Sequence, residues 1–511
     1  MAEPTVCRQH THPGAAMLPR EIHPGVSDRI ASVDILVVGS GPGGALTAAM
    51  LAEQGRSVLL LEEGGWISQE THTPFSRAEM IHKYRHGGLT AAMGKPPLAY
   101  VEGCCVGGGS EINSGLYHRT PPEILWQWSR EYGVRHVTPE EMEPHFAAVE
   151  QDVGVRYHPG VPPLNSLKLA IGAENLGWHA LEVPRWFSYL PLPEATQKSG
   201  HPVWQEQRNA MSRTFIPRFL RAGGMLLAHY RVEKLLFRHN SWEITAWPTC
   251  TQACVSPRIW RARQLFLAAG AVATPALLRR NGLSAVAGRR LASHPTIKVT
   301  ARFPEPVNSP AGGVGVHQVK EFSPRFGFGC AISSQSHLAI SLLDHPRHLP
   351  LVHQQGSRMA VYYAMVRGQG RVIVPPLLRH PIPFWHMQAA QWRDLATALR
   401  QLSRLLFAAG ADTLWPSVAG TEPLHHVGEL SRLPNTLPAR DTRLMTIHLM
   451  GSCPMGEHPG QAVTDSFGRV HGQNNLYVCD ASLLCDAPGV NPQGSVMAMA
   501  RRNVLHFLAQ D

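Results

Sequence analysis

A glycine-rich turn between two apolar runs constrains the fold more than any other stretch of this sequence. Residues Val33–Gly65 read VDILVVGSGPGGALTAAMLAEQGRSVLLLEEGG. The apolar runs Ile35–Val38 and Val58–Leu61 are typical of parallel strands that are buried on both faces. The stretch therefore predicts a strand, a turn, a helix and a second strand of a Rossmann-like α/β fold. The turn contains four glycines, which are Gly39, Gly41, Gly43 and Gly44.

Three of these glycines match the G-x-G-x-x-G pattern of dinucleotide-binding proteins. In this pattern Gly39 permits the tight turn, Gly41 lets the backbone approach a pyrophosphate, and Gly44 lets the helix pack close to the strand. Glu62 follows Gly39 by 23 residues, near the ~20 expected for an acid that binds the adenosine ribose. An acid at this position favours a free 2′-hydroxyl, and so predicts FAD or NAD rather than NADP.

Composition excludes several other classes of protein. The chain has 511 residues, enough for two or more domains, with a net charge of +10 and a pI near 9.3. Its Lys and Arg residues are scattered, and we expect no nucleic-acid partner. No stretch of about 18 apolar residues predicts a membrane span. Residues 1–30 lack the apolar core of a signal peptide, which favours a cytoplasmic location.

The nine cysteines are dispersed and show no paired spacing for zinc. An odd number of scattered cysteines in a chain of this length favours free thiols in a reducing compartment. His448, Cys453 and His458 lack an obvious fourth ligand, so we expect no metal site.

The C-terminal block, residues 448–503, carries a second group of signals. Leu476–Val478 predicts a short strand that ends in Asp480 and Ala481. Asn491-Pro492 then precedes a predicted helix, Ser495–Phe507. The N-terminus of such a helix carries partial positive charge. It could stabilise the negative charge of a reduced flavin.

Several motifs together resemble the glucose-methanol-choline (GMC) oxidoreductase family, whose members bind FAD. They are the N-terminal turn with Glu62, GGGSEIN at 107–113, AAGAVATPALL at 268–278, LASHP at 291–295, and YVCDASLL with APGVNP at 477–492. The residues of the GGGSEIN, YVCDASLL and APGVNP motifs most resemble those of the long-chain fatty alcohol oxidase branch of the family. By position, His448 matches the active-site histidine of the family and Asn491 matches its partner. His294, in LASHP, is expected to hold its loop.

The resemblance implies roles in FAD binding and in alcohol oxidation. Flavin N5 would accept a hydride, His448 would act as the base for the hydroxyl proton, and Asn491 would hydrogen-bond the substrate oxygen. Some relatives attach FAD covalently through a histidine where this chain has Ile112, so we expect non-covalent FAD. The expected FAD contacts are Gly39, Gly41, Gly43, Gly44, Glu62, Gly107, Gly108, Ser110, Asn113, Val232, Gly270, Asp480, Ala481, Pro492 and Gln493.

The predicted organisation alternates cofactor and substrate segments. Residues 1–31 form an arm, 155–215 a lid or loop region, and 299–444 a substrate domain with an antiparallel sheet and helices. The FAD-binding domain comprises 32–154, 216–298 and 445–511. Within these segments we expect a loop at Leu291–Pro295, a strand segment within Ala331–Leu342 and a helix at Gln388–Ala409.

The sequence thus predicts oxidation of an apolar or bulky alcohol, with oxygen or another carrier as electron acceptor. Phe384, Trp385 and Met387 are candidate substrate contacts or ordinary core residues. Two alternatives stay open: a GMC-fold lyase or photodecarboxylase, and a non-enzymatic nucleotide-binding protein. The glycine turn alone would also permit an NAD dehydrogenase. The sequence indicates neither the specific alcohol nor the oligomeric state.

Overall fold

The computed structural model describes residues 31–68, 71–73, 76–191, 204–249, 256–309, 314–376, 378 and 380–510. The predicted arm lies outside this range except for Ala31. Within it, the helices are α1 (Pro42–Glu53), α2 (Arg77–Lys83), α3 (Pro122–Tyr132), α4 (Pro139–Val153), α5 (Leu164–Asn175), α6 (Phe215–Arg221), α7 (Gly270–Arg280), α8 (Gln335–Ser341), α9 (Pro350–Gln355), α10 (Ala389–Ala408) and α11 (Gln493–Gln510).

The strands of the same residues form four sheets. In chain order they are β1 (Ala31–Val38), β2 (Val58–Leu61), β3 (Thr90–Ala92), β4 (Leu98–Tyr100), β5 (Val155–Arg156), β6 (Ala180–Glu182), β7 (Arg185–Pro191), β8 (Trp204–Arg208), β9 (Met225–Leu227), β10 (Tyr230–Arg238), β11 (Ser241–Pro248), β12 (Arg258–Leu267), β13 (Leu291–Ser293), β14 (Thr296–Arg302), β15 (His317–Val319), β16 (Phe326–Cys330), β17 (Met359–Val366), β18 (Gly368–Ile373), β19 (Ile382–His386), β20 (Thr413–Pro416), β21 (Met445–Thr446), β22 (Leu449–Met450) and β23 (Leu476–Val478).

The first sheet is the predicted Rossmann-like sheet. Its order is β10-β11-β12-β1-β2-β9, and β23 adds to β12. Strands β12, β1, β2, β9 and β23 are joined by parallel pairs. Strand β1 sends Leu36 and Val38 to one hydrophobic cluster and Ile35 and Val37 to another. Both faces of the sheet are therefore covered, which explains the continuous apolar run.

The second large sheet has nine strands in the order β3-β4-β21-β14-β17-β16-β15-β6, with β20 beside β14. Most of its pairs are antiparallel, as predicted. Helix α10 buries Leu395, Leu399 and Leu402 in the cluster on one face of this sheet. The expected mixture of a cofactor-type α/β domain and a sheet-rich domain is therefore confirmed.

Three local expectations were wrong. Leu291–Ser293 is not a loop but β13, which pairs with β18 and β22 and is too short to show alternation. Within Ala331–Leu342, the residues Gln335–Ser341 form α8. Its Leu338 and the C-cap residue Leu342 lie one turn apart and are buried. Segment 155–215 contains helix α5 and the paired strands β7 and β8.

The domain limits stay predictions. Strands β3, β4 and β6 come from outside residues 299–444, yet they join the nine-stranded sheet. In the part of the chain that the structure describes, no helix has the length and apolarity needed to cross a bilayer. The described residues also contain no cluster of three or more metal-ligating side chains. Their free cysteines are Cys104, Cys105, Cys330, Cys453, Cys479 and Cys485.

Candidate functional site

The predicted glycine turn lies where β1 meets α1, and each glycine has a different neighbour. A Cβ on Gly43 would lie 1.7 Å from the Cys479 carbonyl oxygen, and one on Gly44 would lie 2.0 Å from the Gly39 oxygen. A Cβ on Gly41 would have no described atom within 4 Å. Gly41 is the N-cap of α1 and forms no side-chain cap. Open space and free N–H groups at a helix N-terminus suit a pyrophosphate.

A second glycine segment packs against this turn. A Cβ on Gly108 would lie 2.8 Å from Gly41 Cα. Gly107 N–H donates to Ser40 Oγ at 3.0 Å. The Ser110 hydroxyl donates to the Gly107 oxygen at 2.7 Å and accepts from Met211 N at 3.0 Å. The Ser110 hydroxyl thus stabilises the conformation of this second glycine segment. The predicted cofactor contacts of the segment would therefore come mainly from its backbone groups.

Glu62 lies at the end of β2, as predicted, and is buried. Its Oε2 accepts from Ser40 N at 2.9 Å and from Ser40 Oγ at 2.7 Å, and its Oε1 accepts from Gly64 N at 2.9 Å. A carboxylate can accept about four hydrogen bonds, which leaves capacity for a ribose hydroxyl. Burial raises the pKa of Glu62. Tyr230 N–H donates to the backbone carbonyl oxygen of Glu62 at 2.8 Å. This bond brings nearby Val232 on β10 to this end of the sheet.

Asp480 joins two loops of the cofactor domain. Its Oδ2 accepts from Gly270 N at 2.8 Å and from Thr274 Oγ1 at 2.5 Å, and its Oδ1 accepts from Ser482 N at 2.8 Å. The neighbouring Ala481 accepts from Gly451 N at 3.1 Å. Burial raises the pKa of Asp480. Like Glu62, its carboxylate accepts three hydrogen bonds within the protein and has capacity for one more, so the predicted cofactor contact stays a prediction.

The N-terminus of α11 lies beside the second glycine segment. The helix begins at Gln493, two residues before the predicted start, directly after Pro492. Asn113 Nδ2 donates to Gln493 Oε1 at 2.7 Å. Because the first N–H groups of a helix have no intrahelical acceptor, this end of the helix offers donors and partial positive charge.

The two predicted catalytic side chains meet just ahead of this helix. His448 Nε2 and Asn491 Nδ2 are 3.4 Å apart, although 43 residues separate them in sequence. Asn491 is buried, and its Oδ1 accepts from Gln318 Nε2 at 3.1 Å. Gln318, on β15, carries no sequence motif and was missed. The nine-stranded sheet thus contributes a side chain to the candidate site.

Behind His448 lies His294, at the end of β13. The two Nδ1 atoms are 3.0 Å apart, and the ring planes are at 85°. Gly489 N–H donates to His294 Nε2 at 3.0 Å, so His294 does hold a loop, the one that precedes Asn491. Lys320 Nζ donates to the Gly489 oxygen at 3.1 Å. Lys320 was also missed, because a single lysine in an unrecognised stretch gives no signal.

A third missed histidine, His118, lies next to Gln318. His118 Nε2 and Gln318 Oε1 are both buried. The two side chains are close enough for Gln318 to oppose the lowering of the His118 pKa. His118 thus extends the polar cluster on the side of the nine-stranded sheet.

These imidazoles are neutral at ordinary pH. Burial, assisted by Lys320, lowers the pKa of His448 and of His118 to about 3. The pKa of His294 is likewise well below its usual value, chiefly through burial. Burial also lowers the pKa of Lys320 to about 8. Below that pH, Lys320 gives this neutral cluster a positive charge.

Known protein families match most of this chain. The sequence matches the GMC oxidoreductase family over residues 80–296 and 376–500, and an FAD-binding domain over residues 32–121. The uncharacterized GMC-type oxidoreductase y4nJ of Sinorhizobium fredii is 35% identical over 474 residues, which cover 92% of this chain and 93% of that protein. The chain belongs to the GMC oxidoreductase family, and its FAD-binding domain indicates FAD as cofactor.

More distant relatives are similar in sequence or in structure. The long-chain-alcohol oxidase FAO3 of Arabidopsis thaliana is 26% identical over 512 residues, which cover 91% of this chain and 66% of that protein. Pyridoxine 4-oxidase from Mesorbium loti superposes with a TM-score of 0.68 at 20% identity, covering 93% of this chain and 99% of its own. A formate oxidase structure gives 0.71 at 14% identity, with coverage of 94% and 99%. At these identities the two structures support the fold alone.

The glycine turn yields a matched pair of variants. Gly41→Ala places a methyl group in open space and should leave the apoprotein as stable as the wild type while weakening FAD binding at least tenfold. Gly43→Ala drives a methyl group into the Cys479 carbonyl and should destabilise the fold itself by about 1–3 kcal/mol. Thermal unfolding without FAD and FAD titration separate the two effects. Equal loss of stability in both variants would contradict this interpretation.

The buried histidines predict a loss of stability in mild acid. His118 has a folded pKa of about 3, below the ~6.5 of an unfolded histidine. The unfolded state therefore binds more protons between these values, so stability falls as pH drops below about 6.5 and is unaffected above it. Each such histidine changes the free energy of unfolding by at most about 1.4 kcal/mol per pH unit.

Denaturant unfolding of the FAD-saturated protein between pH 5 and 8 measures this slope. The His118→Gln variant should show a shallower slope, whereas His386→Gln, at an exposed position, should match the wild type. An unchanged slope in His118→Gln would show that its imidazole is not buried in the neutral form.

Proposed function

We propose that this protein oxidises a CH–OH group of a small-molecule alcohol to an aldehyde or ketone. The observation that supports this most directly is the convergence of His448 Nε2 and Asn491 Nδ2, 3.4 Å apart, just ahead of the N-terminus of α11. Alcohol oxidation needs groups that hold the substrate oxygen beside a hydride acceptor. Bound FAD supplies that acceptor.

Separate parts of the chain would hold the cofactor. The open space at Gly41 suits the pyrophosphate, and the remaining acceptor capacity of Glu62 suits the ribose. The N–H groups at the start of α11 would face the end of the flavin that becomes negative on reduction. Asn113 and Gln493, which are hydrogen-bonded to each other, would fix the position of this helix end.

His448 and Asn491 would bind the substrate oxygen as its C–H bond breaks. Both side chains are held from behind, His448 by His294 and Asn491 by Gln318. The family resemblance implies that His448 is the base for the hydroxyl proton. That role needs a lone pair on Nε2, whereas the hydrogen bond between His294 Nδ1 and His448 Nδ1 favours a hydrogen on His448 Nε2.

An apolar, bulky alcohol is the proposed substrate class, and its support comes from the long-chain-alcohol oxidases among the relatives. The aromatic residues considered as substrate contacts add little to it. Trp385 is buried, and its indole N–H donates to the Pro96 oxygen at 2.9 Å. Met387 packs against the same core cluster. These two side chains are therefore core residues. After the reaction, oxygen or another carrier would reoxidise the flavin.

Anaerobic reduction tests the proposed reaction. The purified protein with FAD should lose its yellow absorbance when a primary or secondary alcohol of the right class is added, and admitted air separates an oxidase from a dehydrogenase. The His448→Ala variant should still bind FAD but should be reduced about 10²–10³ times more slowly, since one contact to the developing charge is lost.

A panel of primary, secondary, aromatic and long-chain alcohols serves as the test set. Failure of every alcohol to reduce the bound flavin would contradict alcohol oxidation and would favour a lyase, a photochemical enzyme or a binding protein. An unchanged rate in His448→Ala would remove His448 from the site.

We further propose that FAD is held without a covalent bond. Ile112, at the position of the attachment histidine in some relatives, has no nucleophilic atom and is buried. Acid precipitation of the FAD-loaded protein should therefore leave the yellow colour in the supernatant. Colour that stays with the pellet would contradict non-covalent binding.

A further inference from the structure

A backbone donor fixes the direction of the hydrogen bonds behind His448. Gly489 N lies 3.0 Å from His294 Nε2, and a backbone N–H group can only donate. His294 Nε2 therefore accepts and carries no hydrogen. A neutral imidazole has one N–H, so the hydrogen of His294 lies on Nδ1.

The hydrogen on His294 Nδ1 faces His448. The Nδ1 atoms of the two rings are 3.0 Å apart, and the nearly perpendicular rings permit a linear bond. Because His294 Nδ1 donates, His448 Nδ1 must accept. The single hydrogen of the neutral His448 ring then lies on Nε2, the nitrogen that faces Asn491.

An independent chain of hydrogen bonds orients Asn491. Gln318 Nε2 donates to Asn491 Oδ1 at 3.1 Å and to the Tyr363 hydroxyl at 3.3 Å. With its oxygen held in this way, Asn491 turns its Nδ2 toward His448 Nε2, 3.4 Å away. Two N–H groups cannot bond to each other, but two donors this close can both bond to one oxygen atom.

We propose that His294 and Gln318 are positioning residues. They fix His448 Nε2 and Asn491 Nδ2 as two hydrogen-bond donors toward the substrate oxygen, which gains negative charge. The inference rests on the proposed alcohol oxidation. Preorganised donors of this kind stabilise charge as it develops in a transition state.

The surrounding charge favours the same role. Lys320, held at the Gly489 carbonyl by a 3.1 Å hydrogen bond, places a positive charge near both histidines and lowers the pKa of each. A positive charge opposes a proton on His448 but attracts an alkoxide-like oxygen. The hydroxyl proton passes to a solvent water molecule, because neither His448 Nε2 nor Asn491 Nδ2 has a lone pair to accept it.

The hydrogen positions can be observed without any substrate. In the FAD-loaded protein labelled with ¹⁵N-histidine, two-bond ¹H–¹⁵N correlation spectra distinguish the two neutral tautomers. The single variants His448→Gln and His294→Gln assign the signals. We expect His448 to carry its hydrogen on Nε2 and His294 on Nδ1. A hydrogen on His448 Nδ1 overturns the proposal, whether or not any alcohol is oxidised.

Two substitutions at His294 test its role in positioning. In His294→Gln, the amide can still accept from Gly489 N–H and donate to His448 Nδ1, whereas His294→Leu can do neither. Flavin reduction should slow about 10–100-fold in the Leu variant, less than on loss of a donor itself, and should be largely restored in the Gln variant.

Kinetic parameters separate positioning from general loosening of the loop. Loss of a transition-state contact lowers kcat and kcat/KM together, with FAD affinity unchanged. Equal rates in the Leu and Gln variants, or a change confined to KM, would overturn the role of His294.

Substitution of His448 itself distinguishes a donor from a base. The Gln side chain can present an N–H near the position of Nε2 but cannot accept a proton at neutral pH. If His448 donates, His448→Gln should be reduced at least tenfold faster than His448→Ala. If the two variants are equally slow, His448 acts as a base and the proposal fails.

Discussion

The contact between the glycine turn and the end of β23 is the constraint on which the rest of the site depends. A Cβ at Gly43 would lie 1.7 Å from the Cys479 carbonyl, so the two backbones touch. The next residue, Asp480, is tied to Gly270 and Thr274 on the neighbouring loop. Eleven residues further along, the same segment reaches Asn491. Because Gly43 has no side chain, the two backbones can approach closely beside the expected pyrophosphate site. This close approach helps to determine the position of the Asn491 amide.

Features encoded by neighbouring residues could be predicted from the sequence. The turn at Gly39–Gly44 and helix α10 agree with their patterns, because apolar spacing and glycine placement act within a few residues. Strand β13 could not be predicted, since its three residues become a strand only by pairing with β18 and β22, which are distant in sequence. Helix α8 was missed because seven residues carry too few turns to separate a helical from an alternating pattern.

The residues of the candidate site also differ in whether the sequence could predict them. His448 and Asn491 lie in short segments whose spelling is distinctive, so a resemblance was enough to select them. Gln318, Lys320 and His118 lie in stretches without a motif, and they reach the site only because β15 and the loop around His118 come together in space. Which nitrogen of His448 carries a hydrogen depends on such contacts. The sequence could therefore select the two proposed catalytic groups, but it could not predict the direction of the hydrogen bonds between them and their neighbours.

The pairing of β13 with β22 also bears on how the substrate domain can vary. Ser293 lies opposite Leu449, and Thr296 on β14 lies opposite Met445 on β21, so the chain enters and leaves the segment between them at adjacent points. Residues 297–444 therefore lie between two positions, Thr296 and Met445, that are held side by side in one sheet. An exchange of this segment between relatives would leave His294 and His448 beside the paired strands β13 and β22. New substrate pockets could in this way be grafted onto an unchanged pair of histidines.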